Sequence, residues 1–202
     1  RQIELNFLNL EENDVEAKAD WLLSAASVGG CVCWITNTVN RAQQLYQAVV
    51  NRDQTVECIL LHARFPLADR QRIEQEITAC FGPQGKRPTK AIVIGTQVLE
   101  QSLDLDFDLM VSDIAPVDLL LQRAGRLHRH AHHSRPPMHQ VPRMWVALTL
   151  DENGIPDCHI DSLIYDEYIL RKTWQQISKC ARISLPSDYR EWIESVYTSK
   201  KP

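Results

Sequence analysis

The run Gln122-Arg123-Ala124-Gly125-Arg126-Leu127-His128-Arg129 places three arginines and a glutamine within eight residues. Read as one helix, it puts Gln122, Arg126 and Arg129 at i, i+4 and i+7, on one face. Converging guanidiniums repel one another unless an anion sits opposite. Arginine suits phosphoryl oxygens because its planar fork donates in parallel and keeps its charge near neutral pH. A phosphoryl-transfer transition state spreads negative charge over its equatorial oxygens, where inserted arginines stabilise it. An isolated R-x-x-R would read as a solvated basic helix end favoured by the helix dipole. The order Q-x-x-G-R-x-x-R, after a strand and a helix start, favours the phosphoryl reading.

Further polar groups follow apolar runs: Thr36-Asn37-Thr38, His62-Ala63-Arg64 and Gly95-Thr96-Gln97. At a strand's end, the Thr96 hydroxyl and the N–H groups of its loop, Gln97 included, can meet a backbone phosphate. Thr36, Asn37 and Thr38 can do the same; capping of a following helix is the alternative for Thr36 and Asn37. Arg64 reads either as a phosphate contact or as the partner of Asp69 or Glu74. Such contacts ignore base sequence.

The net charge of -4 does not mark a polyanion binder, but the distribution is uneven. Residues 91–122 hold acids without Lys or Arg, and residues 119–150 hold arginines without Asp or Glu. An acidic block meeting a basic one suggests phosphate handled beside polar partners; two solvated faces are the alternative. His128, His130, His132, His133 and His139 fall in a proline-rich stretch, read as a solvated, phosphate-tolerant loop, so no metal ligand is assigned. Cys31 and Cys33 lack zinc-knuckle spacing and are expected to point apart. All six cysteines are expected to be reduced. Trp34 and Trp145 read as core.

The elements that position these residues come from composition and period. Hydrophobic residues make up 44% and charged residues 24%, the usage of a globular chain. No run reaches the ~18 apolar residues of a membrane span, no leader is visible, and a start at Arg1 suggests an excerpt. A cytoplasmic protein is expected. Strands are expected at 31–36, 56–61, 90–95, 109–112 and 144–150. Helices are expected at 15–28, 38–50, 66–81 and 116–127, with a turn or short helix at 96–102. Alternating buried strands and amphipathic helices imply an α/β fold, a parallel sheet with helices on both faces. Its ligands bind at the carboxyl ends of the strands. Beyond Leu150 the pattern changes to two helices, 163–177 and 186–196. The expected organisation is a lead-in with first helix over 1–30, a main domain over 31–150 and a helical appendage over 151–202.

Gln122 to Arg129 resembles motif VI of superfamily 2 helicases, and Gly95 to Asp104 (GTQVLEQSLD) resembles motif V. Thr36-Asn37-Thr38 with Arg41 and Ala42 resembles motif IV, and Leu61 to Phe65 with Arg70 resembles motif IVa. Residues 30–150 would then be the second RecA-like domain of such a motor. Leu119 to Leu121, Arg126 to His130, Arg135-Pro136 and the tail from Tyr168 to Trp174 resemble the CRISPR-associated helicase–nuclease of type I systems. That resemblance implies ATP, with Arg126 and Arg129 as arginine fingers and Gln122 at phosphate or the attacking water. Asp104 would lie near the nucleotide sugar, and Arg123 would pair internally with an acid. It also implies single-stranded DNA, a first RecA-like domain and an RNA-guided surveillance complex as partners. These residues contain no P-loop, no D-E-A-D or D-E-x-H run and no HD nuclease motif. Magnesium would therefore be held by residues outside this chain, and the 202 residues alone are expected to be inactive. A non-catalytic docking platform and an RNA helicase of another branch are the competing readings.

Overall fold

A strand with no polar face must be covered on both sides, and the runs GCVCWI, KAIVIG and LMVSD are buried almost end to end. The computed structural model describes residues 1–11, 13–100 and 103–198. Gln101 and Ser102 of the expected turn, and residues 199–202 of the expected appendage, lie outside the described residues. In chain order the elements are β1 (Gln2–Asn9), α1 (Val15–Ser27), β2 (Gly30–Ile35), α2 (Val39–Arg52), β3 (Glu57–Leu61) and α3 (Leu67–Phe81). Then come β4 (Lys90–Gly95), a 3₁₀ turn (Gln97–Glu100), β5 (Leu109–Asp113), α4 (Val117–Ala124) and β6 (Arg143–Leu148). The chain ends with α5 (Glu167–Ile177), β7 (Arg182–Ser184) and α6 (Asp188–Tyr197).

One sheet runs β3-β4-β2-β5-β6-β1-β7. Every pairing is parallel except that of β7, which lies antiparallel on β1. Helices α1 and α2 cover one face through Leu22, Ala26, Leu45 and Val49. Helices α3 to α6 cover the other through Ile77, Phe81, Leu121, Leu170 and Trp192. This is the α/β architecture expected from the alternation. Asp14 caps α1 by accepting from the Ala17 N–H, and Thr38 caps α2 by accepting from the Arg41 N–H.

Three expectations fail at the level of elements. Residues 2–9 are not a lead-in but a strand inside the sheet, with Ile3 and Leu5 in the core. The core also runs past residue 150, since α5, β7 and α6 contribute Leu170, Ile183 and Val196 to it. Helix α4 stops at Ala124, short of Leu127. Cys31 and Cys33 share a face with Ile35, because side chains two apart on a strand point the same way. All six cysteines are free thiols, as expected. Burial pushes Cys31 and Cys58 up to about 12.

Ile3 is fully buried between the helices and the sheet. Ile3→Ala should cost ~2–5 kcal/mol, read as a lower denaturant midpoint. An unchanged midpoint would mean that β1 lies outside the cooperative core.

Candidate functional site

Helix α4 ends because Gly125 and the residues after it form a different set of bonds. The Gly125 N–H still reaches Leu121 O, but Arg126 and Leu127 turn back to Arg123 O and Ala124 O. The chain then runs as a short extended segment beside residues 106–108. Phe107 N–H donates to Arg126 O at 2.9 Å and His128 N–H to Phe107 O at 3.1 Å. The expected i, i+4, i+7 face therefore does not form. Gln122 lies exposed on the helix, while Arg126 sits in the turn that ends it and Arg129 on the strip beyond. His128 adopts a left-handed φ of 47°, uncommon outside glycine and asparagine, and this turn sends Arg129 outward.

Arg123 points the other way and is fully buried. Its Nε donates to Glu100 Oε1 at 2.6 Å and its Nη1 to Ser112 Oγ at 2.6 Å. This is the internal acid pairing expected for it. Glu100, at the end of the 3₁₀ turn, also accepts from Arg126 Nη2 through its carbonyl at 2.9 Å. Arg129 Nε pairs with Asp104 Oδ1 at 2.6 Å, and both side chains are more than two-fifths exposed. Glu100 and Asp104 thus hold Arg123, Arg126 and Arg129 one after another. Burial lowers the Arg126 guanidinium pKa, and the charge of Arg129 lowers it further. The Arg1 guanidinium donates to His128 O and Gly125 O along the same strip.

Asp106 and Asp108 were not singled out as site residues, and both are buried. Asp106 accepts from the Arg129 N–H at 2.8 Å, from Arg135 Nη2 at 2.7 Å, and meets His133 Nδ1 at 2.7 Å. Asp108 accepts from the Cys31 N–H at 2.7 Å and pairs with Arg87 and Arg135. These donors hold Asp106 below the usual carboxylate range against the opposing effect of burial. The histidine-rich stretch is only in part the solvated loop expected: Ala131, His132, Ser134 and Met138 are exposed, whereas the His133 and Arg135 side chains turn inward and His139 is buried. The acidic and basic blocks meet as internal ion pairs. Among the described residues, no three or more His, Cys, Asp or Glu are arranged to hold a metal.

The residues after β2, β3 and β4 gather at the carboxyl edge of the sheet. Thr36 is buried, its hydroxyl donating to Thr38 O at 3.0 Å. Asn37 spends its donors internally: Nδ2 on Ile114 O and Asp161 Oδ1, and its N–H on Asp113. Its side chain keeps no free donor for a phosphate, which removes the reason for expecting that contact. The helix cap is Thr38 rather than Thr36 or Asn37. Gln97 Nε2 donates to Asn37 O and to Tyr165 Oη, both at 3.0 Å. Arg41 bridges Asp113 and Asp161. Thr96 is buried. Arg64 is exposed, and Glu74 pairs with Arg70 instead. Trp34 is core, with Nε1 donating to Asp113 at 3.1 Å. Trp145 is half-buried against Trp21. Arg126 and Arg129 lie elsewhere, beside residues that precede β5, so the two groups occupy different ends of the sheet.

A family model described as the C-terminal part of the CRISPR-associated nuclease/helicase Cas3 matches residues 28–132. The CRISPR-associated endonuclease/helicase Cas3 of Thermus thermophilus is 36% identical over 242 residues, covering 100% of this chain and 26% of that protein. The crystal structure of T. fusca Cas3 with ADP matches with a TM-score of 0.89 and 34% identity, covering 98% of this chain and 24% of that one. A chain in a CRISPR RNA-guided surveillance complex, pre-nicking, matches with a TM-score of 0.83 and 31% identity over 99% of this chain and 25% of that one. The chain thus spans about a quarter of the length of these relatives.

The half-buried His128 gives the strip a pH signature. Burial, then the charge of Arg135, lowers His128 from 6.5 to about 4, against the pull of Asp108 and Asp106. Between those values the unfolded chain binds a proton that the folded chain does not, so stability falls as pH drops from 6.5 toward 4. His128→Asn tolerates the left-handed φ and cannot titrate. It should flatten part of that slope in denaturant titrations, leaving the share of His62, which burial also lowers. A slope unchanged by His128→Asn would place the proton uptake elsewhere.

Proposed function

This chain belongs to the family of CRISPR-associated nuclease/helicase Cas3 C-terminal regions, and we propose that it is the second RecA-like half of an ATP-dependent DNA helicase in type I antiviral defence. The observation that carries this reading is the pair Arg126 and Arg129, presented on the turn just past a helix that exposes Gln122. Two guanidiniums press on each other there, and Arg126 is already partly desolvated. An anionic γ-phosphate would relieve both. The likeness to a Cas3 structure with ADP supports a nucleotide as the source of that anion.

The chemistry of this chain's own residues follows from how they are held. Arg123 is a structural anchor: buried and paired with Glu100 and Ser112, it fixes the base of the strip. Arg126 and Arg129 keep their forks near the surface. The Arg129–Asp104 pair is exposed on both sides, so releasing it costs only ~0–1 kcal/mol. Arg129 can therefore exchange a carboxylate for a phosphate when a first RecA-like domain closes on it. Asp104, freed in that exchange, is available to the nucleotide sugar. Gln122, exposed one turn earlier, would meet phosphate or the attacking water. The phosphates would be cradled, and Mg²⁺ bound, by residues outside this chain. Closure and release of the same arginines would couple turnover to movement.

The carboxyl edge supplies the single-stranded DNA track in this reading. Exposed Arg64 and half-buried Thr38 would face the backbone phosphates, with buried Thr96 setting the course of its loop beneath them. Thr36, Asn37 and Gln97 would shape the loops from beneath. Recruitment by an RNA-guided surveillance complex is supported by the likeness to a chain in such a complex. No helix among the described residues is long and apolar enough to cross a membrane; we place the protein in the cytoplasm.

In the full-length protein, Arg126→Ala or Arg129→Ala should lower DNA-stimulated ATP turnover by ~10³–10⁵-fold with circular dichroism unchanged. Lysine at either position should rescue poorly, because it loses the fork. The 202-residue chain alone should hydrolyse no ATP. Near-normal turnover in both alanine variants would make the strip a basic surface and favour a docking role.

A further inference from the structure

Asp106 is fully buried, yet one of its bonds reaches the backbone of the residue that the proposed function sends to the nucleotide. Its Oδ1 accepts from the Arg129 N–H at 2.8 Å and from Arg135 Nη2 at 2.9 Å. Its Oδ2 accepts from Arg135 Nη2 at 2.7 Å and lies 2.7 Å from His133 Nδ1. Arg135 forks across Asp106 and Asp108, Nη2 on the first and Nη1 on the second, so both carboxylates are tied to one guanidinium. Just before Arg129, the left-handed His128 is fixed by its own N–H to Phe107 O and by its ring against Asp108 O. The Arg129 Cα is thereby pinned on its amino side, while its side chain is more than two-fifths exposed and, among the described residues, pairs with exposed Asp104. A rigid root and a free fork are what a residue needs if it must reach a phosphate and then leave it.

We propose that Asp106, locked by Arg135 and His133, is the positioning residue for Arg129 in ATP turnover. The inference rests on the reading of Arg129 as a group that meets the γ-phosphate. Asp106 itself is too buried to touch nucleotide and acts only through the backbone of Arg129. In Asp106→Asn one acceptor oxygen becomes an NH₂ group. That donor would face Arg135 together with either the Arg129 N–H, at the Oδ1 position, or His133, at the Oδ2 position, so part of the clasp is lost at constant volume. A displacement of about 1 Å in a catalytic group can cost ~10²-fold in rate. Because the root of the arginine moves and the substrate's other contacts do not, the loss should fall on kcat rather than on KM for ATP.

The test is DNA-stimulated ATP turnover by the full-length protein carrying Asp106→Asn, Arg129→Ala or both, with thermal melting of each. Arg135→Lys, which keeps the charge but not the fork, serves as a second and milder perturbation. The expected result is a ~10- to 100-fold fall in kcat for Asp106→Asn with KM little changed, a smaller fall for Arg135→Lys, and no further loss from either once Arg129 is alanine. Equal fold-losses in the presence and absence of the Arg129 side chain would overturn the positioning role and leave a plain structural clasp. So would normal kcat in Asp106→Asn alongside an impaired Arg129→Ala. If Arg129→Ala itself turns over normally, the reading of Arg129 fails, and the positioning role with it. If Asp106→Asn does not fold, Arg135→Lys in the two backgrounds decides by the same comparison.

Discussion

Two carboxylates taken out of water within three residues of each other set the terms for the rest of this molecule. Burying such ions costs several kcal/mol apiece unless their lone pairs are met by well-aligned donors. Asp106 and Asp108 are met by two arginines, a histidine and the N–H groups of Cys31 and Arg129. Those donors come from the start of β2, the loop after α3 and the strip after α4. Removing any one would leave a buried carboxylate short of a donor, so three segments distant in sequence are tied together. The strip that carries Arg126 and Arg129 inherits its shape from this obligation rather than from helical geometry.

A second polar centre stands at the opposite end of the sheet. Asp113, at the end of β5, gathers Trp34, the Asn37 N–H and Arg41, and Arg41 continues to Asp161. Gln97 and Tyr165 extend it to the segment between β6 and α5. Burial and the neighbouring charge of Asp113 raise the Asp161 pKa, against the pull of Arg41 and Asn37. The loops after β2 and β4 are thus tied to the segment leading into α5 through side chains, not only through the sheet. Between the two centres, Glu100 binds Arg123 and Arg126, giving a continuous mechanical route from Gln97 to the arginine strip.

Much of this was readable from residue patterns, and the failures have identifiable causes. All-apolar runs such as KAIVIG and the 3.6-residue stripes of α2 and α3 announce themselves, because burial on both faces or on one stripe leaves no other arrangement. The strand β1 carried a period-2 signal in Ile3, Leu5 and Phe7 that a search for buried runs passes over. Gly125 was a visible helix stop, but extending the helix through it made three polar side chains line up attractively. Strand β7 has three residues, too few for any period. The buried acids were hidden for a different reason. A carboxylate's fate depends on donors far along the chain, such as Arg87, Arg135 and the Cys31 N–H, and charge counting along the chain cannot tell an internal pair from a solvated face. Asn37 shows the same limit, its bonding being settled by Asp161, 124 residues later.

The coupling of Asp106 to the arginine strip can be read directly by amide hydrogen exchange on the folded chain. The N–H of Arg129 is satisfied by a carboxylate rather than by a helix or a sheet ladder. In the native protein it should exchange slowly. In Asp106→Ala it should exchange far faster, together with the N–H of His128, while the amides of β2 and β4 keep their protection. Equal protection of Arg129 in both proteins would show that the strip is held by something other than the buried carboxylates.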